Sequence, residues 1–501
     1  MIAAFTGRST FDPVPSVSAM RSLDVAVASE PPTGATTGWF VSPGGPLPGA
    51  VDWGNLEAVG FHGKVGQTQV IPPRGGEAIV VVGVGGVSDL TPDILRDAAA
   101  AFSRATSSEG TLAMHLPEDI PPATSAQMVV EGTTLARYRY DALKRKASVT
   151  PIDSLTLVTD ARAEAEEGAA KGVAMSEAAQ IARDLANTPP ALLTALKMAE
   201  VAEIHGHERG LDVEIFDIAA LVEMGCGGLL GVNAGSHEPP AMIKVIYVPK
   251  DEPKATLTLV GKGIMYDAGG IALKPADEVH ATMKNDMSGA GAILGAMLNL
   301  GRLGCENKVI GYLMCTDNRP SGTALAMGDV LTVRGGTTVE VKNTDAEGRL
   351  VMADALVLAT EEDTDAIVDI ATLTGASMRA LGTQIAGVMG NDAGLVGQVE
   401  AAARATDEPV WELPLAHRYR PELDSDIADI KNLGGPNAGA ITAALFLEEF
   451  VAGKPWAHID IAGTAQNDSD SSWRPPGCTG FGARLLAELS VDFVPTVRSA
   501  P

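Results

Sequence analysis

The sequence predicts an α/β protein with a smaller N-terminal α/β domain and a larger C-terminal α/β domain whose central sheet is mainly parallel. Three observations support this prediction. The chain has 501 residues, which is more than one hydrophobic core usually accommodates. Its hydrophobic content of 46% is typical of a globular protein. In its second half, apolar runs alternate with helical patterns, as expected for a parallel sheet covered by helices on both faces.

The N-terminal domain is expected over residues 1–160. Apolar runs at Ile79–Val82 and Ser154–Val158 predict strands, and the alanine-rich segment Leu95–Thr106 predicts a helix. A segment rich in alanine, glutamate and lysine, Ala161–Leu185, predicts a long helix that ends where Asn187-Thr-Pro-Pro190 prevents its continuation. We assign residues 161–190 to a helix that links the domains, and residues 191–501 to the C-terminal domain.

Six apolar runs of the C-terminal half predict strands, and polar residues follow several of them, including Lys262, Asp317 and Thr372. Ligands of open α/β sheets bind where the carboxyl ends of parallel strands meet, so we expect the functional site at that edge. The predicted strands are Val213–Phe216, Ile243–Val248, Leu257–Val260, Val309–Met314, Ala366–Ile370 and Ala457–Ile461, and the predicted helices are Ser288–Leu303, Gly348–Thr360 and Ala440–Ala452.

Composition narrows the possible partners and compartment. The net charge of −26 disfavours nucleic acid and anionic membranes, which need a basic surface, and Arg137–Lys146 is the only basic cluster. The N-terminus resembles no signal peptide, and no apolar run is long enough to span a bilayer. The four cysteines form no CxxC pair, so we expect reduced, mostly buried thiols in a cytoplasmic protein.

Four acidic residues in two clusters indicate a metal site. Asp345 and Glu347 stand at the start of a predicted helix, and Asp267 and Asp286 lie in glycine-rich segments upstream. If all four carboxylates face one cleft, they stay ionised only when cations bind among them. For Asp286 taken alone, a helix N-cap is a better explanation than a metal site. For Asp345 and Glu347 taken alone, an N-cap and a metal site explain the residues about equally well. The combination favours a metal enzyme.

The residue types of the candidate ligands indicate which metal ions could bind and what reaction they could support. Oxygen ligands suit Mg or Mn, and Zn when a nitrogen joins them; no histidine lies in these motifs. Two divalent ions would balance four carboxylates and activate a shared water. Lys262 offers a nitrogen ligand, Lys274 suits polarisation of a carbonyl, and Arg349 suits binding of an anion. Salt bridges to the acids are the alternative role for each of these basic residues.

The octapeptide Asn343–Leu350 is identical to the signature of the leucyl aminopeptidases, the cytosol-type M17 metallopeptidases. The sequence resembles this family strongly over about residues 175–490. Other similar segments are Val260–Pro275, Arg319–Gly322, Ala371–Ala376, Ser425–Asp429, Gly439–Phe446 and His458–Gly463.

The resemblance implies a homohexamer with a variable N-terminal domain and a C-terminal catalytic domain. It implies that Lys274 polarises the scissile carbonyl and that Arg349 holds a bicarbonate ion. One metal would be bound by Asp267, Asp345 and Glu347, and the other by Lys262, Asp267, Asp286 and Glu347. Residues near the bound substrate would be Met283, Thr372, Leu373, Gly375 and Ala462.

We therefore expect a metallo-aminopeptidase that releases leucine or another apolar residue from peptides with a free N-terminus, using two Mn or Zn ions, with Mg or Co as alternatives. The sequence departs from the family pattern at Met265, Tyr266, Ala268 and Leu325–Met327; none of these is a predicted ligand, but they bear on which first residue is preferred. Two rival functions stay open. Some family members also bind DNA, and two lysines with an arginine would suit a phosphoester substrate.

Overall fold

The computed structural model describes residues 11–49, 51–72 and 78–496, which divide between two units. The smaller unit contains Pro15–Gln180 and, from much later in the chain, Asn467–Gly477. The larger unit contains residues 11–14, Ile181–Gln466 and 478–496. Each unit has its own sheet and helices, which confirms the predicted α/β class and the presence of two domains.

The smaller unit is built on a six-stranded sheet. Its elements are α1 (Pro15–Ser22), β1 (Asp24–Ala28), β2 (Thr36–Val41), α2 (Trp53–Ala58), β3 (Thr68–Ile71), β4 (Ile79–Gly83), α3 (Pro92–Ala105), β5 (Thr111–His115), α4 (Pro122–Arg137) and β6 (Ser154–Val158). The strand order is β1-β6-β5-β2-β4-β3; among the described residues, β3 pairs antiparallel with β4 and the other pairs are parallel. The predicted strands at Ile79 and Ser154 and the predicted helix at Leu95 are all present.

Helices α3 and α4 pack closely together because a glycine lies at their contact. A Cβ on Gly132 of α4 would lie 2.2 Å from the carbonyl oxygen of Arg96 on α3, which no side chain tolerates. Beside this contact, Arg96 Nε lies 3.0 Å from Glu131 Oε2, and both side chains are buried. The Thr91 hydroxyl caps the start of α3 by accepting a hydrogen bond from the Ile94 amide.

The segment Asn467–Gly477 completes the core of the smaller unit. Trp473 is fully buried and packs with Ala100, Leu135, Ala136 and Ala179. Close by in the segment, Asp470 accepts a hydrogen bond of 2.9 Å from Arg139 Nη2. This late part of the chain therefore supplies apolar contacts that the first 180 residues do not contain.

A long helix, α5 (Arg162–Asn187), follows β6 and confirms the helix predicted over Ala161–Leu185. The division between the two units falls within it, at Ile181. The helix ends before Pro189, and the Thr188 hydroxyl donates to the Asp184 carbonyl oxygen in the last turn.

The larger unit contains an eight-stranded sheet with the order β15-β14-β17-β13-β9-β10-β8-β7. Its sheet strands are β7 (Asp212–Phe216), β8 (Ala241–Tyr247), β9 (Thr256–Asp267), β10 (Lys308–Asn318), β13 (Ala366–Ala371), β14 (Ala386–Gly390), β15 (Val410–Glu412) and β17 (Trp456–Asp460). The four central strands β17, β13, β9 and β10 are parallel, as predicted. Antiparallel pairs involving β7, β8 and β14 occur only towards the two edges.

Helices pack against this sheet, and the described residues also form two small sheets. The helices are α6 (Ala195–Glu208), α7 (Ile218–Glu223), α8 (Gly227–Asn233), α9 (Glu278–Ala281), α10 (Ser288–Met297), α11 (Gly348–Glu361), α12 (Gly375–Leu381), α13 (Ala393–Thr406), α14 (Gly439–Glu448) and α15 (Ala483–Asp492). The small sheets comprise β11 (Val330–Thr332), β12 (Thr338–Glu340) and β16 (Ile430–Lys431), and β18 (Gln466–Asn467) with β19 (Gly477–Cys478).

Strand β9 is much longer than the predicted run Leu257–Val260 and continues through Gly261 and Gly263 to Asp267. A Cβ on Gly261 would lie 2.9 Å from the backbone of Ala290, so only glycine lets α10 approach the strand this closely. The extension carries Lys262 and Asp267 to the carboxyl edge of the sheet.

All four cysteines are buried free thiols, as predicted. Among the described residues, no helix is both long and apolar enough to cross a membrane.

Candidate active site

Polar side chains gather at the carboxyl edge of the large sheet, where the sequence predicted a site. Asp267 is the last residue of β9, Asn318 is the last residue of β10, and Thr372 follows β13 directly. Glu347 directly precedes α11, and Asp286 lies just before α10. Two strand ends, two helix starts and a loop thus place these groups on a rigid frame.

Three carboxylates converge closely enough to hold a metal ion. Asp267, Asp345 and Glu347 each present an oxygen within 4.8 Å of the others. The turn after β9 makes this possible, because Gly269 has a φ of 88° and its amide donates to Asp267 Oδ1 at 2.8 Å. A Cβ on Gly269 would lie 2.8 Å from Asp345 Oδ1, so the turn requires glycine.

Two lysines lie among the acids. Lys262 Nζ lies 2.8 Å from Asp286 Oδ2 and 2.8 Å from Glu347 Oε1, and it donates to the Thr372 carbonyl oxygen. Asp286 is thereby joined to the carboxylate group, and its Oδ1 accepts a 2.6 Å hydrogen bond from the Thr372 hydroxyl. Lys262 therefore joins Asp286 to Glu347, and all three are predicted metal ligands.

The second lysine closes the other side of the cluster. Lys274 Nζ lies 2.8 Å from Asp267 Oδ2 and 2.6 Å from Asp345 Oδ1. Its side chain keeps 18% exposure, whereas that of Lys262 keeps only 4%. Lys274 is thus the basic residue that a molecule entering from solvent can reach.

Burial and mutual repulsion shift the protonation of the acids. Burial raises the pKa of Glu347 and of Asp345, and the nearby charge of Asp267 raises both further. Burial also raises the pKa of Asp286, against the attraction of Lys262. For both lysines burial opposes the charge, yet the surrounding carboxylates outweigh it and raise the pKa of each ammonium.

This donor set suits a divalent cation. The convergent ligands are carboxylate oxygens with one amine nearby, which are ligands that Mn²⁺, Mg²⁺ and Zn²⁺ accept. Asp267, Asp345 and Glu347 present several oxygens to one small volume, and the two ammonium groups show that this volume attracts positive charge. A divalent ion would replace an ammonium at the same oxygens.

Arg349 lies in the first turn of α11 and is buried to 5% exposure. Among the described residues, its Nε and Nη1 atoms have no hydrogen-bond partner. Burial lowers the pKa of the guanidinium to about 10, despite the attraction of Glu347 and Asp460. A buried cation with free donors is suited to receive an anion.

Four of the predicted substrate residues, Thr372, Leu373, Gly375 and Ala462, lie in two segments joined by one acid. Asp460, the last residue of β17, accepts hydrogen bonds from the amides of Leu373 and Ala462, each at 3.2 Å. Its other oxygen accepts a 2.7 Å bond from the Thr374 hydroxyl. Gly375 opens α12 immediately afterwards. Of the predicted set, Met283 lies apart in sequence, in a short 3₁₀ helix three residues before Asp286.

Sequence reasoning missed three polar residues that support the site. Asn318 and Asp460 each end a central strand at the same edge as Asp267, and that position was the available signal. Asn432 holds the loop around Asn343 by donating to its carbonyl oxygen at 2.7 Å and accepting from the Lys342 amide. Nothing in the local sequence around Asn432 indicates that role.

Two features weighed in the sequence have other structural roles. The His280 ring lies 5.9 Å from that of Tyr266, outside the carboxylate group. In the basic cluster, Arg137 is buried and donates to backbone carbonyl oxygens, including those of Glu109 and Thr150. The charge of Arg137 therefore faces the protein interior, whereas Lys144, Arg145 and Lys146 of the same cluster are exposed.

The two units match two known domain families. Residues 180–487 match the catalytic domain of the cytosol aminopeptidase family, and residues 55–147 match the N-terminal domain of that family. The chain belongs to the cytosol aminopeptidase family. The recognised octapeptide and the carboxylate group both lie within the matched catalytic domain.

Relatives resemble the chain over nearly its whole length. A probable cytosol aminopeptidase of Chlorobium luteolum is 42% identical, over 86% of this chain and 90% of its own. A second, of Streptomyces coelicolor, is 41% identical over 87% of this chain and 89% of its own. The solved structure of the bottromycin maturation enzyme BotP in complex with Mn is 38% identical with a TM-score of 0.85, covering 91% of this chain and 99% of BotP. Membership of this family makes the protein an aminopeptidase, a peptide-bond hydrolase.

Proposed function

We propose that the protein is a two-metal aminopeptidase that removes leucine or another apolar residue from the N-terminus of peptides. The observation that carries this proposal is the convergence of Asp267, Asp345 and Glu347, with Lys262 and Asp286 adjoining, in the catalytic domain of a peptidase family. A nearby amine and several carboxylates at one sheet edge suit metal-assisted hydrolysis.

Two divalent ions per subunit would share this ligand set. Asp267, Asp345 and Glu347 would hold one ion, while Lys262 and Asp286 would hold the other together with Asp267 and Glu347. Bound ions supply an activated water and a Lewis acid for the peptide carbonyl. Lys262 must lose its proton to bind metal, which metal binding itself favours. The Mn in the BotP structure supports Mn here, with Zn, Mg or Co as alternatives.

The remaining charged residues would act on the substrate. Lys274 keeps partial exposure and sits between Asp267 and Asp345, so its ammonium is placed to polarise the scissile carbonyl. Arg349 is buried and has two donors without a partner in the described part of the chain, which suits a bicarbonate ion serving as proton acceptor. Both the role assigned to Lys274 and the role assigned to Arg349 depend on the positive charge of the side chain.

Substrate selection would depend on the loops that Asp460 joins. Leu373 and Ala462 present small or apolar side chains there, and we assign Met283, Thr372 and Gly375 to the same substrate-binding region. An apolar first residue fits this lining, and a free α-amine would be recognised by the metal site. We further propose a homohexamer in the cytoplasm, as in the family that the sequence resembles.

Hydrolysis of leucine anilide by chelator-treated protein, before and after addition of Mn²⁺ or Zn²⁺, tests the proposed function. We expect cleavage only with metal, and only when the α-amine is free. An N-acetylated leucine anilide is the matched control, because it removes only the amine. No cleavage with any metal by folded protein would contradict the proposal and would favour a phosphoester substrate, which p-nitrophenyl phosphate would then probe.

A further inference from the structure

Asn318 reaches the carboxylate group because β9 contains one extra residue. Thr316 pairs with Ile264, whereas the next residue of β10, Asp317, pairs with Tyr266, so Met265 has no partner on β10. This bulge aligns Asn318 with Asp267. Without the extra residue Asn318 would pair with Tyr266, and neighbouring residues of a strand point to opposite faces. The bulge therefore decides that the amide and the carboxylate share a face.

The side-chain amide of Asn318 contacts both segments that carry the convergent acids. Its Nδ2 donates to Asp267 Oδ1 at 2.8 Å and to the Thr344 carbonyl oxygen at 2.9 Å. A longer contact of 3.4 Å reaches Glu347 Oε2. Asn318 is itself buried to 5% exposure, so these bonds form away from solvent. One amide thus links the end of β9 to the loop before α11.

The neutral amide of Asn318 can hold a carboxylate in place without competing with a metal ion, unlike the ammonium groups of the lysines. Asp267 Oδ1 accepts two neutral N–H groups, from Asn318 and from Gly269, while Oδ2 faces the ammonium of Lys274. An ammonium competes with a metal ion because both are cations. The amide adds no charge, so it can hold the carboxylate plane while Oδ2 serves a cation.

We propose that Asn318 is a positioning residue that orients Asp267 and the loop carrying Asp345 and Glu347 for metal binding. The inference rests on the proposed function, in that a divalent ion binds this group. It adds a determinant of metal affinity that touches neither the ion nor the substrate. Hydrogen-bond partners of metal ligands typically change metal affinity by about 10- to 100-fold when they are removed.

Titration of metal-free protein with Mn²⁺ by calorimetry tests this role. We expect Asn318→Ala to weaken Mn²⁺ binding by about 10- to 100-fold relative to the unmodified protein. Asn318→Ser, whose hydroxyl still donates one hydrogen bond, should weaken it less and serves if the alanine variant does not fold. The matched control is Asn307→Ala, because Asn307 is equally buried but donates to the carbonyl oxygens of Ser490 and Phe493.

The outcomes separate the two proposals. Mn²⁺ affinity within about twofold of the unmodified protein in folded Asn318→Ala or Asn318→Ser would overturn the positioning role and leave the proposed function intact. An equal loss in Asn307→Ala would also overturn it, since the effect would then reflect general destabilisation. If the unmodified protein binds no Mn²⁺, the titration is repeated with Zn²⁺, Mg²⁺ and Co²⁺, and both proposals fail if none of these ions binds. If it binds Mn²⁺ but cleaves no peptide bond, only the proposed function fails.

Discussion

The charged side chains at the site differ in how completely they are paired with opposite charges and hydrogen-bond partners. The carboxylates of Asp286 and Asp345 each have a lysine within 2.8 Å, and those lysines gain from the pairing. Arg349 differs, because within the described part of the chain two of its donors have no partner. Burial without full pairing costs free energy, and the lowered pKa of its guanidinium, about 10, reflects that cost.

Replacement of Arg349 by methionine should therefore trade activity for stability. The variant removes a buried and incompletely paired charge, so we expect the melting temperature of metal-free protein to rise by about 1–2 °C for each kcal/mol recovered. Loss of the anion-binding group should lower turnover of leucine anilide by about 100-fold. Scanning calorimetry and steady-state kinetics measure the two effects.

Arg334→Met is the matched control for this prediction. Arg334 lies 2.6 Å from Glu361 and also donates to a backbone carbonyl oxygen, so its removal breaks formed interactions. We expect no gain in melting temperature for that variant. A lower melting temperature for Arg349→Met would show that attraction to Glu347 and Asp460 outweighs the cost of burial.

Sequence alone pointed to carboxylates and basic residues that lie together in the structure, because they occur in short segments whose residue types suggest their chemistry; their roles as metal ligands and catalytic groups stay predictions. Asp267, Asp345 and Glu347 do converge, and both lysines lie beside them. The supporting residue Asn318 was not predictable, because its contact depends on a one-residue bulge at Met265. Such a bulge follows from packing between strands and leaves no local pattern.

At the scale of elements, α11 connects the site to the interior. Glu347 and Arg349 stand at its start, and Asp354 lies about two turns further along. Asp354 is fully buried and accepts hydrogen bonds from the amides of Leu229, on α8, and Arg334, after β11, at 2.8 and 2.9 Å. These bonds fix the position of α11 along its axis, and with it the placement of Glu347.

Asp354 should give the protein a measurable pH dependence of stability. Burial raises the pKa of its carboxyl to about 7, from about 4 when exposed. Between these values the folded state binds more protons than the unfolded state, so the stability contributed by Asp354 falls as pH rises. The melting temperature of the unmodified protein, relative to that of Asp354→Asn, should therefore decrease from pH 5 to 7 and level off above about pH 8.

Other titrating groups are common to both proteins, so the difference in melting temperature isolates Asp354. A constant difference across this pH range would mean that the two amide donors keep the folded carboxylate ionised. Measurements without metal avoid the separate proton release that accompanies metal binding.

The mostly apolar strands of the large sheet were predicted from the sequence, whereas the glycine-rich strands and strand segments were not. Runs such as Ala366–Ile370 are mostly apolar because both faces of the strand are covered, and β13 and β17 appear within one residue of prediction. Strand β14, Ala386–Gly390, was missed because two of its five residues are glycine, which has low strand propensity. Its antiparallel pairing with β17 depends on the chain connection rather than on composition.

At the scale of the whole molecule, residues far apart in sequence form one core. Local patterns led us to place residues 191–501 together, whereas Asn467–Gly477 belongs structurally with the smaller unit. Trp473 contacts alanines and a leucine more than 290 residues earlier in the chain. Periodicity and composition describe neighbours along the chain, so they contain no signal for such a contact.

Trp473→Ala should destabilise the smaller unit strongly. Loss of a buried tryptophan typically costs about 3–5 kcal/mol, which corresponds to a fall in melting temperature on the order of 10 °C. Trp411→Ala is the matched control, because Trp411 is 63% exposed and its loss leaves no cavity. Scanning calorimetry compares the two variants, and equal melting temperatures would contradict the importance of this contact.

The late arrival of Trp473 also has a consequence for biosynthesis. Roughly 300 residues separate Gln180 from Asn467, and a ribosome adding about 5–20 residues per second needs about 15–60 s to make them. During that time the nascent smaller unit lacks Trp473, which forms part of its hydrophobic core. The apolar surface around Ala100 and Leu135 is then exposed to chaperones or to aggregation. Its folding is therefore completed only near the end of translation, although its sequence emerges first.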